Sequence, residues 1–75
     1  MSPSEMVPGE WYKISWQNTY AYLKLKSIED KRIKYYFCKF ESGFVQRDWL
    51  ATLTHEDIIE KPSFETLNEL KSELL

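Results

Sequence analysis

The stretch TYAYLKLK, residues 19–26, alternates two kinds of side chain that could carry chemistry. In an extended strand, Ala21, Leu23 and Leu25 share one face, which is suited to a protein core. The opposite face carries aromatic rings and ammonium groups, from Tyr20, Tyr22, Lys24 and Lys26. Rings stack on nucleobases or anchor protein contacts, and ammonium groups attract anions, so we expect this face to bind a partner.

A second stretch, IKYYFCKF at residues 33–40, extends the expected binding face. If Ile33, Tyr35 and Phe37 point into the core, the alternate residues Arg32, Lys34 and Tyr36 join the outer face. A shift of one residue would expose Tyr35, Phe37 and Lys39 instead, and it would also leave rings beside cations. The ring of Trp11 on the first strand is added to this face. The candidate binding residues are therefore Trp11, Tyr20, Tyr22, Lys24, Lys26, Arg32, Lys34 and Tyr36.

Twelve aromatic residues are more than one small core hides, and this number favours a binding module. The leading hypothesis is protein–protein contact, as an adaptor or inhibitor, with a mobile element as one hypothetical source. The alternative is single-stranded nucleic acid on the same face, with bases on the rings and phosphates near the cations. The net charge of -2 and the lack of an RNP-like signature rank protein above nucleic acid.

Two further roles for the outer face stay open. Tyr–Lys cross-strand pairs stabilise sheets by roughly 0.2–1 kcal/mol each, so these residues can be purely structural. An exposed apolar edge would favour self-association instead. The sequence does not determine the oligomeric state.

Catalytic chemistry is poorly supported by the residue types present. His55, the single histidine, precedes Glu56 and Asp57, but neither a nucleophile nor a metal-ligand set accompanies it in sequence. Cys38 lies inside an aromatic strand, which is typical of a small buried hydrophobic residue. One cysteine and one histidine cannot complete a structural zinc site, and two glycines cannot form a glycine-rich phosphate loop. We therefore predict no enzymatic activity, no metal and no cofactor.

Composition indicates a small intracellular domain. The chain has 75 residues, enough for one domain, and 29% of them are charged. A single cysteine excludes an internal disulfide, which favours the reducing cytoplasm. The first ten residues do not resemble a signal peptide, and no apolar run approaches the roughly 20 residues needed to span a bilayer. We predict a soluble cytoplasmic protein that does not contact membranes.

Charge is unevenly divided along the chain. Residues 11–50 hold eight lysines and arginines against four acidic residues, whereas residues 51–75 hold two against six. A basic body is therefore followed by an acidic tail. The acidic tail offers a second surface that could meet a basic protein.

The pattern of apolar residues predicts mainly β structure with one helix. Residues 1–9, with two prolines and one glycine, indicate a flexible arm, and residues 10–75 form a single domain. Gly43 suits the left-handed position of a three-residue hairpin loop. Ser63 suits the N-cap of an amphipathic helix over residues 64–75, with an apolar stripe of Phe64, Leu67, Leu70 and Leu74. The predicted strands lie at residues 10–16, 19–28, 33–40 and 44–53. A capped turn is predicted at 54–57, and residues 58–61 could form a short fifth strand.

This order of elements resembles that of small SH3-like and Tudor-like barrels, including uncharacterised phage and bacterial proteins. The resemblance covers the opening GEWYKISW, the four-stranded meander and the terminal helix. It implies a small, strongly bent antiparallel sheet or SH3-like barrel of four to five strands with a C-terminal amphipathic helix. The main alternative is an open four-stranded sheet covered by the helix.

Overall fold

A computed structural model describes residues 1–30, 32–54 and 56–74, and the histidine weighed above, His55, lies outside this part of the chain. A 3-10 helix, Pro3–Glu5, precedes the sheet. The five strands are β1 (Trp11–Trp16), β2 (Thr19–Glu29), β3 (Arg32–Phe40), β4 (Val45–Thr52) and β5 (Ile58–Glu60), and the C-terminal helix α1 spans Phe64–Leu74. The predicted mainly-β fold with a C-terminal helix is confirmed. Neither helix of the described residues is long and apolar enough to cross a membrane.

All five strands pair antiparallel in one sheet of order β4-β3-β2-β1-β5. Short turns join the first four strands because residues with positive φ occupy them, namely Gln17, Asn18, Asp30 and Gly43. The prediction of a left-handed residue at Gly43 is thereby confirmed. The strands β4 and β5 lie at opposite edges, so the sheet is open and does not close into a barrel.

One face of the sheet carries the main core. The alternation predicted for residues 19–26 is confirmed, because Ala21, Leu23 and Leu25 are all buried there. Cys38 is buried on the same face, as its aromatic surroundings predicted. The buried core residues are Met6, Tyr12, Ile14, Ala21, Leu23, Leu25, Ile33, Tyr35, Cys38, Leu53 and Ile59.

The sheet bends along a line that crosses β2, β3 and β4. On β3, Tyr36 and Phe37 both point away from the core, although regular alternation would turn one of them inward. The buried residues on either side of them are Tyr35 and Cys38. The register between β2 and β3 shifts at the same level, next to Leu25. The two registers considered for residues 33–40 therefore both occur, one on each side of the bend.

The other two strands bend in the same way. On β2, residues 26 and 27 lie outside, between the buried Leu25 and the core-packed Ile28. On β4, Arg47 and Asp48 are exposed, and Asp48 has a φ of 48°. Irregularities of this kind sharpen the twist of a sheet and re-aim side chains. The bend therefore gathers side chains from three strands on one outer ridge.

The first nine residues pack against the sheet, whereas the sequence favoured a flexible arm. The side chain of Met6 is buried in the core. The backbone N–H of Val7 donates a hydrogen bond to the Tyr12 hydroxyl (2.7 Å), and that of Gly9 donates to the Leu25 carbonyl (2.8 Å). The buried Met6 side chain and the backbone hydrogen bonds thus hold this segment in place, although its prolines and glycine had suggested a flexible arm.

Helix α1 lies against the outer face of the sheet, opposite the main core. The Ser63 hydroxyl accepts a hydrogen bond from a backbone N–H of the first turn (3.3 Å), which confirms the predicted N-cap. Leu70 is buried, and the ammonium group of Lys39 on β3 contacts the carboxylate of Glu73. Phe64, the first residue of the predicted apolar stripe, is 77% exposed, so the contact with the sheet begins further along the helix.

A hydrogen-bonded turn connects β4 to β5, as predicted for residues 54–57. The backbone N–H of Thr54 donates to the Asp57 carboxylate (2.8 Å). In return, the Thr54 hydroxyl accepts a hydrogen bond from the backbone N–H of Glu56 (3.3 Å). The turn brings β5 back beside β1, where Ile59 pairs with Ile14.

Candidate binding surface

Trp11 alone among the eight predicted binding residues is buried, with 3% of its surface exposed. Its indole ring stacks on Phe37, with ring centroids 6.2 Å apart and planes inclined by 8°. The indole N–H has no hydrogen-bond acceptor among the described residues. The expectation that this ring is accessible is corrected, because Trp11 belongs to a small apolar layer on the outer face.

Tyr20 and Tyr22 share the outer face with helix α1. Their rings meet edge-on with centroids 5.5 Å apart, and the Nζ atom of Lys13 lies 4.9 Å from the Tyr20 ring centroid. Both tyrosines line a cleft together with Leu70 of the helix. A helix of 11 residues must dock to be stable, and this one docks on part of the predicted binding face.

Lys24, Lys26 and Tyr36 come together where the sheet bends. The Nζ atoms of Lys24 and Lys26 lie 5.6 and 5.4 Å from the centroid of the Tyr36 ring. The bend turns Tyr36 outward and leaves it 40% exposed. Both parts of the predicted chemistry, cation and ring, therefore meet at this place.

The bend adds Arg47, which the sequence did not indicate, and Phe37, which the sequence placed outside only in the alternative register. The guanidinium carbon of Arg47 lies 4.8 Å from the centroid of the Phe37 ring. Phe37 pairs with Lys24 on one side and with Arg47 on the other. The hairpin loop at Gly43 determines which residues of β3 and β4 pair. The pairing of Arg47 with Phe37 could therefore have been predicted by counting residues outward from that loop. The five residues of this bend cluster are Lys24, Lys26, Tyr36, Phe37 and Arg47.

Carboxylates offset part of the positive charge around the bend cluster. Asp48 Oδ1 lies 3.9 Å from Lys26 Nζ, and both side chains are about half exposed or more. Lys34 borders the cluster, but its Nζ lies 3.3 Å from Glu29 Oε1. Arg32 is exposed at the far end of β3, opposite Thr52 of β4. The predicted basic face is therefore concentrated at the bend and does not extend evenly over the sheet.

Strand β4 presents an open edge with large apolar side chains. It pairs with β3 on one side, and its other side is an edge of the sheet. Phe44, Trp49 and Leu50 are 59%, 62% and 40% exposed. Backbone N–H and C=O groups along such an edge are available to another strand. We call Phe44 and β4 together the β4 edge.

A cleft of about 570 Å³ opens on the core face beside the β4 edge. Its walls include Ile14 of β1 and Leu23 of β2, and its exposed border includes Trp49 and Leu50. The cleft exists because the sheet remains open and leaves part of its core face uncovered. Its volume falls within the roughly 300–1,000 Å³ typical of binding pockets. Sequence interpretation did not predict it, since it depends on how the edges are placed.

Two of the titratable groups that line this cleft, Tyr35 and Cys38, are buried, and burial favours the neutral form of both. Burial raises the pKa of the Cys38 thiol to about 12. Burial also raises the pKa of Tyr35 to about 12, with a smaller contribution from the neighbouring Cys38 thiolate. Because the thiolate is the reactive form of cysteine, this raised pKa disfavours reaction of Cys38 near neutral pH.

Comparison of the chain with protein-family models, with curated proteins and with solved structures finds no match. The class that the fold and this surface define is a small, open-sheet β protein with a C-terminal helix. The resemblance to SH3-like and Tudor-like barrels stays a prediction.

Proposed function

We propose that this chain is a non-enzymatic binding module that acts through contact with another protein. The observation that carries the proposal is the β4 edge, where Phe44, Trp49 and Leu50 are exposed beside an apolar cleft. Exposed apolar side chains along an unpaired strand are typical of recognition by strand addition. The proposed contact is therefore centred on β4, and the bend cluster lies at its side.

A partner in an extended conformation fits this edge. Its backbone pairs with β4, and alternate side chains lie over the cleft beside Gln46 and Trp49. Its remaining side chains lie next to Arg47 on the outer face. Binding of this kind suits an adaptor or inhibitor, and the unpaired Cys38 thiol suits the cytoplasm.

Site-specific photocrosslinking tests this proposal. A photoreactive phenylalanine analogue replaces Trp49 in one variant and Phe64 in a matched control, because both side chains are well exposed. The two variants are irradiated in extract of the organism that encodes the chain. We expect a defined protein adduct from position 49, which excess unmodified chain competes away, and no such adduct from position 64. Equal, non-competed adducts from both positions would contradict the proposal.

The bend cluster favours a second candidate function, the binding of single-stranded nucleic acid. Two lysines lie over the ring of Tyr36, and Arg47 lies over the ring of Phe37. Exposed rings stack on bases while neighbouring cations attract phosphates. The net charge of -2 and the position of the helix beside Tyr20 and Tyr22 keep this function in second place.

An amide NMR titration with a mixed-sequence single-stranded oligonucleotide tests the second function. We expect shifts in residues 24–26, 36–37 and 47 that weaken sharply between about 50 and about 200 mM salt. Lys24→Gln reduces the slope of log affinity against log salt by about 0.7 if it removes one phosphate contact. The control is Lys61→Gln, an exposed residue before the helix, which leaves the slope unchanged. If no amide chemical shift changes at low salt, the binding of single-stranded nucleic acid is excluded.

A further inference from the structure

We propose that the partner of the β4 edge is a second copy of this chain, paired antiparallel through β4 about a twofold axis. Arg47 of each copy then lies opposite Asp48 of the other. This inference rests on the proposed function, because it requires β4 to be the contact surface. It adds the identity of the partner and the register of the pairing.

The bend of the sheet determines which register is possible. The pairing of β3 with β4 keeps one register on both sides of the bend, from Tyr35 with Trp49 to Phe37 with Arg47. The two strands therefore bend at the same level. A strand added to the other side of β4 must also bend at that level, since strands in one sheet follow a common surface.

A second copy of β4 carries the required bend in its own sequence. Arg47 and Asp48 lie outside between Gln46 and Trp49, which both line the cleft. One antiparallel register alone sets residues 47 and 48 of one copy opposite residues 48 and 47 of the other. In that register Gln46 lies opposite Trp49, and the side chains of each pair share a face.

The same register is also the favourable one for charge and apolar contact. It forms the Arg47–Asp48 pair twice, and on the outer face it sets Val45 opposite Leu50 twice. Asp48 is free to take part, because its contact with Lys26 is long (3.9 Å) and exposed. A slip of one residue in either direction would set two arginines or two aspartates opposite each other, which is unfavourable.

Sedimentation velocity of the full chain over a range of micromolar concentrations tests the proposal. We expect the unchanged chain to form a dimer that dissociates on dilution, since a single pair of edge strands makes a small interface. Arg47→Glu sets carboxylates opposite each other, and Asp48→Lys sets cations opposite each other. Each variant alone therefore weakens the dimer by about tenfold or more.

An equimolar mixture of the two variants is the decisive sample. Arg47→Glu in one copy and Asp48→Lys in the other restore two opposite-charge pairs, so the mixture forms heterodimers although neither variant dimerises well alone. Circular dichroism of each variant verifies the fold, because lysine at the positive φ of residue 48 is strained. Recovery in the mixture cannot come from unfolded chains.

The outcomes separate this inference from the proposed function. A monomeric unchanged chain overturns self-pairing, and a photocrosslinked adduct of a different protein at position 49 then still supports the β4 edge as a contact surface. If both variants still form the dimer, the contact lies elsewhere on the chain, and the proposal that the two copies associate through β4 is overturned. A dimer that the variants weaken and the mixture does not restore overturns the register.

Discussion

The Tyr12 hydroxyl accepts a hydrogen bond from the backbone N–H of Val7 at 2.7 Å, although Tyr12 has no exposed surface. This bond ties the N-terminal segment to the first strand at a buried point. Met6, the neighbour of Val7, is buried in the same core, whereas Val7 itself is 53% exposed. The segment is therefore part of the folded domain, and two adjacent side chains within it have opposite environments.

The contrast between these neighbours gives a stability prediction. Met6→Ala removes buried apolar surface and lowers the free energy of unfolding by about 2 kcal/mol or more. Val7→Ala is the matched control and changes it by less than about 0.5 kcal/mol. Urea denaturation followed by circular dichroism measures both. Equal effects of the two substitutions would show that residues 1–9 are not held by the core.

Docking of helix α1 gives a second prediction. Leu70→Ala removes the buried contact of the helix and lowers the free energy of unfolding by about 2 kcal/mol or more. Phe64→Ala changes it little, because Phe64 is 77% exposed, although both residues belong to the apolar stripe read from the sequence. Thermal and urea unfolding of the two variants tests this. A larger effect at Phe64 would mean that the helix docks through its first turn.

The sequence predicted the strands and the helix correctly because local signals define them. Alternation marks the buried side of β2, and Gly43 and Ser63 have the backbone conformation and the capping bond that their residue types favour. The predicted flexible arm at residues 1–9 differs from the packed segment in the structure, because prolines and a glycine indicate only the local conformational preferences of the backbone. They carry no information about Met6, whose position depends on a core built from distant strands.

The candidate surface was only partly predictable for the same reason. Lys24, Lys26 and Tyr36 were expected to lie together, and they do. The helix lies beside Tyr20 and Tyr22, which line a cleft with Leu70, and no local pattern indicates which face of the sheet a helix will choose. The bend that turns Phe37 outward beside Tyr36 coincides with a register shift between two strands, which periodicity in a single strand cannot reveal.

A pH dependence of stability follows from the raised pKa values of Cys38 and Tyr35. Their raised pKa values mean that the folded chain holds protons that the unfolded chain releases above about pH 8.5 for Cys38 and about pH 10 for Tyr35. The contribution of these two groups to the free energy of unfolding is therefore constant below about pH 8.5 and falls as pH rises toward about 12. Each group contributes a slope of at most about 1.4 kcal/mol per pH unit.

Urea titrations at a series of alkaline pH values measure this slope. Cys38→Ala removes the decline that begins near pH 8.5 and leaves the later decline due to Tyr35. Tyr35→Phe removes the later one, and it keeps the ring that fills the core. An unchanged slope in Cys38→Ala between about pH 8.5 and 10 would show that the thiol is not shielded from water in the folded chain.

The exposure of the tryptophans gives a prediction that bears on the β4 edge. Trp49 is 62% exposed and Trp11 is 3% exposed, so a neutral quencher such as acrylamide reaches the first and not the second. In dilute protein, Trp49→Phe therefore removes the largest part of the quenchable fluorescence and the half-buried Trp16 keeps a smaller part, whereas Trp11→Phe retains both. If β4 pairs with a second copy, the quenchable fraction of the unchanged chain also falls as protein concentration rises, because Trp49 then lies beside a new strand. Quenching as strong in Trp49→Phe as in the unchanged chain would show that β4 does not present this ring to solvent.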